Sequence, residues 1–129
     1  MAYGTLKADV IQSDTAGTPP QFNDGNGTQV GTLCRAWVNY KGTSTQSIRA
    51  SFNVSSVTYS STGAYVVNFT TAMADANYIM CGTGDDNAAN SGVLRQINAT
   101  KTTTACGINT CLPGTGVADA LNVSVAFFR

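Results

Sequence analysis

Histidine and glutamate are both absent from this chain, whose acidic charge rests on seven Asp alone. Without imidazole there is neither the commonest general base nor the commonest zinc ligand, which excludes Ser–His and Cys–His nucleophile systems. Charge is scarce as well: 11% of residues are charged and the formal net charge is zero, against about a quarter charged in an average soluble domain. The cations Lys7, Arg35, Lys41, Arg49, Arg95, Lys101 and Arg129 do not cluster, so no basic stripe offers itself to a phosphate backbone and no nucleic-acid partner is expected. No stretch approaches the ~18 apolar residues of a membrane span, and MAYGTLKADVIQSD lacks the basic and apolar regions of a secretory signal. The expectation is a protein made in a cytoplasm and not inserted in a membrane. A surface so poor in charge gives a free monomer little colloidal protection, and suits a protein whose faces pack on copies of itself or on another protein.

What is present is Thr, Ser, Asn and Gly. These residues compete with a helical backbone or lose rotamer freedom in it, and they read better as strands and turns. A chain of 129 residues has room for one core. Residues 1–27 carry only short apolar pieces, the Pro19-Pro20 pair and an Asp24-Gly25-Asn26-Gly27 turn. They read as an extended arm that needs a neighbour to order it, with Val10, Ile11, Pro19, Pro20 and Phe22 as anchoring or inter-subunit contacts.

From residue 28 to 129 the pattern is a β head. Residues 28–40 alternate as one long strand, with Val30, Cys34, Ala36, Val38 and Tyr40 on one face and Gly31, Leu33, Arg35, Trp37 and Asn39 on the other. Residues 46–54 alternate with Ile48, Ala50, Phe52 and Val54 inward. A pair follows at 57–59 and 63–71, with Tyr65, Val67 and Phe69 on one face, and a strand at 78–82. The Gly-rich stretch 83–92 reads as an exposed loop carrying Asp85, Asp86, Asn87 and Asn90. Strands at 93–99 and 102–108 precede a Pro113-Gly114 loop over 111–117, and 119–129 is the clearest strand, with Leu121, Val123, Val125 and Phe127 inward. Phe128 adds apolar area on its polar side, which suits a subunit interface. Seven or eight such strands predict an all-β, antiparallel sandwich, jelly-roll-like or a related barrel.

Little in the chain points to chemistry. Glycoside hydrolysis needs two convergent carboxylates, but Asp14, Asp24, Asp75, Asp85, Asp86 and Asp119 all fall in expected turns, where Asp forms the turn itself. Asp85-Asp86-Asn87 lacks the spaced ligands of a calcium loop. Of Cys34, Cys81, Cys106 and Cys111, only the last two are near neighbours, a poor zinc pattern, and the set reads as buried free thiols. Trp37 and Tyr40 are able to stack on a sugar ring, but core packing is the simpler role. No catalytic residue, cofactor or metal is therefore assigned.

The stretch GTLCRAWVNYKGTSTQSIRASFNVSSVTYSSTGAYVVNFTTAMADANYIMCGTG, chiefly C-R-A-W-V-N, I-R-A-S-F-N-V-S-S-V and Y-V-V-N-F-T-T-A-M, resembles the distal C-terminal module of tail-fibre-like proteins of phages that infect marine bacteria and cyanobacteria. The likeness runs from Gly4 to about Gly84 and returns at NVSVAFFR. It implies an intertwined homotrimer on a virion, without catalytic residues. Family members commonly cap a long fibre, whereas Met1 stands almost at the module here. That departure leaves a separately encoded tip, or a capsid decoration or head-fibre protein held by its arm to the major capsid protein or to a fibre or tail protein. The rival reading is an adhesin for a host-surface glycan or protein, with Asp85, Asp86, Asn87, Asn90, Pro113 and Thr115 as contact-loop residues.

Overall fold

A computed structural model describes residues 4, 6–15, 20–43, 45–85 and 91–129. Contacts divide the chain into two compact units, Met1–Leu33 and Cys34–Arg129. In the first, strands β1 (Phe22–Asn23) and β2 (Gln29–Gly31) form a small antiparallel hairpin. Asp24 organises its turn: its Oδ1 accepts the amides of Asn26 and Thr28, each at 2.9 Å. Residues 6–12 ahead of it have no assigned strand and are all exposed.

The second unit is all-β. Its strands are β3 (Cys34–Lys41), β4 (Ser47–Phe52), β5 (Val54–Ser61), β6 (Ala64–Phe69), β7 (Ile79–Asp85), β8 (Ser91–Ile97), β9 (Ala105–Leu112), β10 (Gly116–Val117) and β11 (Asn122–Phe128), with one 3₁₀ turn at Asn98–Thr100. Every pairing is antiparallel, in the order β4-β3-β11-β7-β8-β9-β6-β5, with β10 on β9. Since β4 and β5, at the two ends of that order, meet at Asn53, the sheet rolls into a nearly closed barrel. Among the described residues no helix is long and apolar enough to cross a membrane.

The period-two alternation does what it should in β3, β6 and β11. Ala36, Val38 and Tyr40, then Tyr65, Val67 and Phe69, then Val123, Val125 and Phe127 all point into one core, joined by Met73, Tyr78, Leu94, Cys106 and Ile108. Burying a side chain of this size contributes about 1.5–3 kcal/mol. Edge-to-face stacking of Phe69, Tyr78 and Phe127, with centroids 5.0–5.9 Å apart, fills the end of the barrel nearest Asn53.

Several expectations fail. The strand expected at 102–108 runs instead from Ala105 to Leu112, and the expected loop over 111–117 holds its end and β10. Residues 28–40 are not one strand: pairing stops at Gly31 and resumes at Cys34, and the two pieces belong to different units. Ala50 and Phe52 do not point inward with Val54. Opposite β3 the register slips, so that Asn39 faces Ala50 while Tyr40 faces Ile48. Arg49 is bulged out between them, and a one-residue bulge flips the faces beyond it. Phe52 therefore stands beside Trp37 on the outside. Finally, strand continues through part of the expected loop 83–92, to Asp85 on one side and from Ser91 on the other.

Candidate interaction surface

Toward its Asn53 end, the outer face of β4, β3, β11 and β7 is apolar where an outer face is ordinarily polar. Cross-strand pairing sets Phe52, Trp37, Ala126 and Cys81 in one row. Phe128 and Ile79 form the next row, toward the Asn53 end. Phe52 is 54% exposed, Ile79 65% and Trp37 38%. Between the rows of β3, β11 and β7 runs a shallow groove of about 330 Å³, lined by Trp37, Asn39, Cys81, Thr83, Ser124 and Ala126 over the backbone of Gly82. Hydrogen bonds fix its polar border: Asn39 Nδ2 donates to Ser124 Oγ at 2.8 Å, and Arg49 donates to the carbonyls of Tyr40 and Leu121 at 3.2 and 3.3 Å. Trp37 was expected in the core; it lies outside because it alternates with Ala36 and Val38 and shares its face with Asn39.

The anchoring residues proposed from sequence fall in different places. Val10 and Ile11 are exposed, Pro20 is half-buried, and Phe22 is paired with Gly31 in the first hairpin. Phe128 is half-buried on the outer face described above. Pro19 lies outside the described residues, as do Asp86, Asn87 and Asn90. Asp85 is not in a turn: it closes β7, where it accepts a hydrogen bond from Asn122 Nδ2 at 2.8 Å. Pro113 and Thr115 form the exposed tip between β9 and β10, with the Thr115 amide donating to the Leu112 carbonyl at 3.2 Å. Because β7 and β9 run the same way along the barrel, Asp85, Pro113 and Thr115 come to the same end of it.

Two further carboxylates, Asp119 and Asp75, have structural partners. Asp119 Oδ1 accepts the Gly63 amide at 2.6 Å and lies 2.9 Å from the Tyr65 hydroxyl, which is also 2.8 Å from the Gly42 carbonyl oxygen. Burial, and then Asp119, push the Tyr65 phenol well above its ordinary range. Gly63 has φ of 64°, and a Cβ there would stand 2.7 Å from the Ala118 nitrogen, so this turn admits only glycine. Asp75 caps its own turn through the Asn77 amide at 2.7 Å and pairs with Arg129 at 2.6 and 2.8 Å. The Tyr78 hydroxyl lies 3.0 and 2.9 Å from the carbonyl oxygens of Thr102 and Ala105, with Lys101 Nζ 4.7 Å from its ring centroid.

All four cysteines are free, but only Cys106 is buried; Cys81 is exposed, against the expectation of buried thiols. Cys106 and Cys111 share β9 but point to opposite faces, Cys106 pairing with inward Val67 and Cys111 with outward Val93. They cannot ligate one ion together. Among the described residues no group of His, Cys and Asp side chains is placed to hold a metal. Comparison of this chain with family models, curated proteins and solved structures finds no match.

Proposed function

We propose that this protein is a non-enzymatic structural component of a bacteriophage particle, working as a homotrimer on the capsid surface or at the tip of a fibre. The observation that carries the assembly is the apolar outer face, with Phe52, Trp37, Ala126 and Cys81 in one row and Ile79 and Phe128 beside it. A solvated sheet face is normally polar. Exposed aromatic and aliphatic side chains gathered over a hydrogen-bonded sheet are what a partner buries. The low-charge surface and the sequence resemblance to distal fibre modules support three copies on a virion.

Light scattering on the purified chain tests this directly. The expected mass is three times the 13.4 kDa of one chain. Trp37→Asp puts a charge at the centre of the contact, and losing a central aromatic costs an interface about 2 kcal/mol or more, roughly thirtyfold in affinity. The variant should run as a folded monomer with unchanged far-ultraviolet dichroism. A wild-type monomer at micromolar concentration would defeat the proposal.

The second reading, a receptor-binding adhesin for a host-surface glycan or protein, draws on the convergence of Asp85, Pro113 and Thr115 at one end of the barrel. The two readings separate in one experiment. An adhesin binds host cells and blocks infection, whereas a decoration protein binds capsids and ignores cells.

A further inference from the structure

The barrel is not sealed between β4 and β5. Chain direction makes this clear: β4 runs down to the joint at Asn53 and β5 runs back up from it, yet the two share no ladder. Among the described residues each is hydrogen-bonded along one edge only, β4 to β3 and β5 to β6, so two rows of backbone N–H and C=O groups flank a wedge closed at Asn53 and open at the far end. Register identifies the side chains facing into it. Ile48 shares the face of buried Tyr40, and Val57 and Tyr59 share the faces of buried Val67 and Tyr65. These are core-facing positions, but Ile48 and Tyr59 are 37% and 41% exposed. Buried Tyr40 stacks on Tyr65 at 5.4 Å and Tyr65 on Tyr59 at 5.8 Å, so a file of aromatic rings leads from the core to the opening. The Tyr40 hydroxyl is buried and has no hydrogen-bond partner among the described residues.

An opening with strand edges on both sides and an apolar floor fits an extended segment of alternating pattern. The chain carries one. In residues 6–11, Leu6, Ala8 and Val10 fall on one side and Lys7, Asp9 and Ile11 on the other. Leu6 and Val10 are 80% and 75% exposed, and no strand is assigned to the segment. We infer that residues 6–11 of a second copy close the wedge as an added strand, with Leu6, Ala8 and Val10 against Ile48, Val57 and Tyr59 and with Lys7 and Asp9 in solvent. Bulges near Ser55 and Ser60 leave residues 56–59 as the regular stretch of the β5 edge, so the ladder is short and a six-residue segment suffices. Passing an arm from each copy to the next is a heterologous contact, which closes when three copies form a ring. The inference rests on the homotrimer of the preceding subsection and adds the contact that links its members.

The test uses the full chain with a photo-crosslinking phenylalanine in place of Asp9, prepared in ¹⁴N and ¹⁵N forms that are mixed by unfolding and refolding. Expected are crosslinks from position 9 to residues 47–61 that join peptides of unlike isotope. Amide exchange is the second readout. In the Leu6→Asp, Val10→Asp double variant, protection at residues 56–59 should fall by about tenfold or more while β9 is unaffected, a loss of ~1.4 kcal/mol. Both substitutions lie on an exposed arm, so the barrel folds. Crosslinks confined to like isotope, or a wild-type trimer with residues 56–59 unprotected, would overturn the arm exchange and leave the outer-face trimer standing. A wild-type monomer would overturn both.

Discussion

Asn53 holds the joint on which the barrel turns, and four hydrogen bonds meet there. Its Nδ2 donates to the carbonyls of Arg35 and Thr71 at 3.0 and 3.1 Å, its Oδ1 accepts the Thr71 amide at 2.7 Å, and its carbonyl accepts the Thr70 amide at 3.2 Å. The backbone is left-handed, with φ of 55°, a conformation Asn tolerates and other side chains resist by about 1 kcal/mol. Asn53→Ala loses the side-chain bonds and keeps the strain, so it should cost about 2–4 kcal/mol of stability in a denaturant titration. Asn53→Gly loses the same bonds but relieves the backbone, and should cost about 1 kcal/mol less. Equal costs would show that the conformation contributes nothing. A second residue-scale expectation concerns Asp75, whose carboxyl is held down to about 2 by hydrogen bonds from Arg129 and from the Asn77 amide. A depressed folded value stabilises above the ordinary carboxylate range, and that contribution is lost as pH falls through about 2. The pair is exposed, so solvent screens it and the effect on stability is small. Carbon-detected NMR should find the titration near 2 in the wild type, and Arg129→Ala should raise it toward the ordinary range.

At the scale of elements, the sequence was most legible where a strand is regular and one-sided. In β3, β6 and β11 the alternation of apolar and polar residues named the core positions correctly, because a period of two leaves no choice once one face is buried. It failed in β4 for the same reason. Alternation over residues 46–54 assumes an uninterrupted strand, and both the bulge at Arg49 and the joint at Asn53 invert the faces. No apolar residue marks either point. Asn53 sits between Phe52 and Val54 and reads there as an outward polar position. The break after Gly31 left only a faint mark, Thr32 on the otherwise apolar face and Leu33 on the other, where pairing stops. The outer face was half legible: Trp37 shares a face with Asn39 in the sequence pattern, and Phe128 already stood out on the polar side of its strand. What joins them to Phe52, Cys81 and Ile79 is the order β4-β3-β11-β7, which pairs the last strand of the chain with a strand near its start and another from its middle. No local pattern encodes such pairing.

For the whole molecule, the outer face and the core predict opposite behaviour for two thiols of one chain. Cys81 is exposed and lines the groove beside Trp37 and Ala126, whereas Cys106 is buried under Val67, where desolvation raises its thiol above the ordinary range. The thiolate is the reactive form, so Cys106 should resist an aromatic disulfide reagent until the barrel unfolds, whatever the state of assembly. Cys81 depends on the proposed assembly. Trimers that bury the row from Phe52 to Cys81 exclude the reagent, and modification then waits for dissociation; dilution below the assembly constant should speed the reaction at Cys81 by about tenfold or more, the effect of ~1.4 kcal/mol of protection. In Trp37→Asp the same thiol should react rapidly at every concentration, with Cys106 still silent. If Cys81 reacts at one rate in concentrated wild type, dilute wild type and the variant, the face it lines stays open to solvent and the trimer, if it forms, is built on another surface.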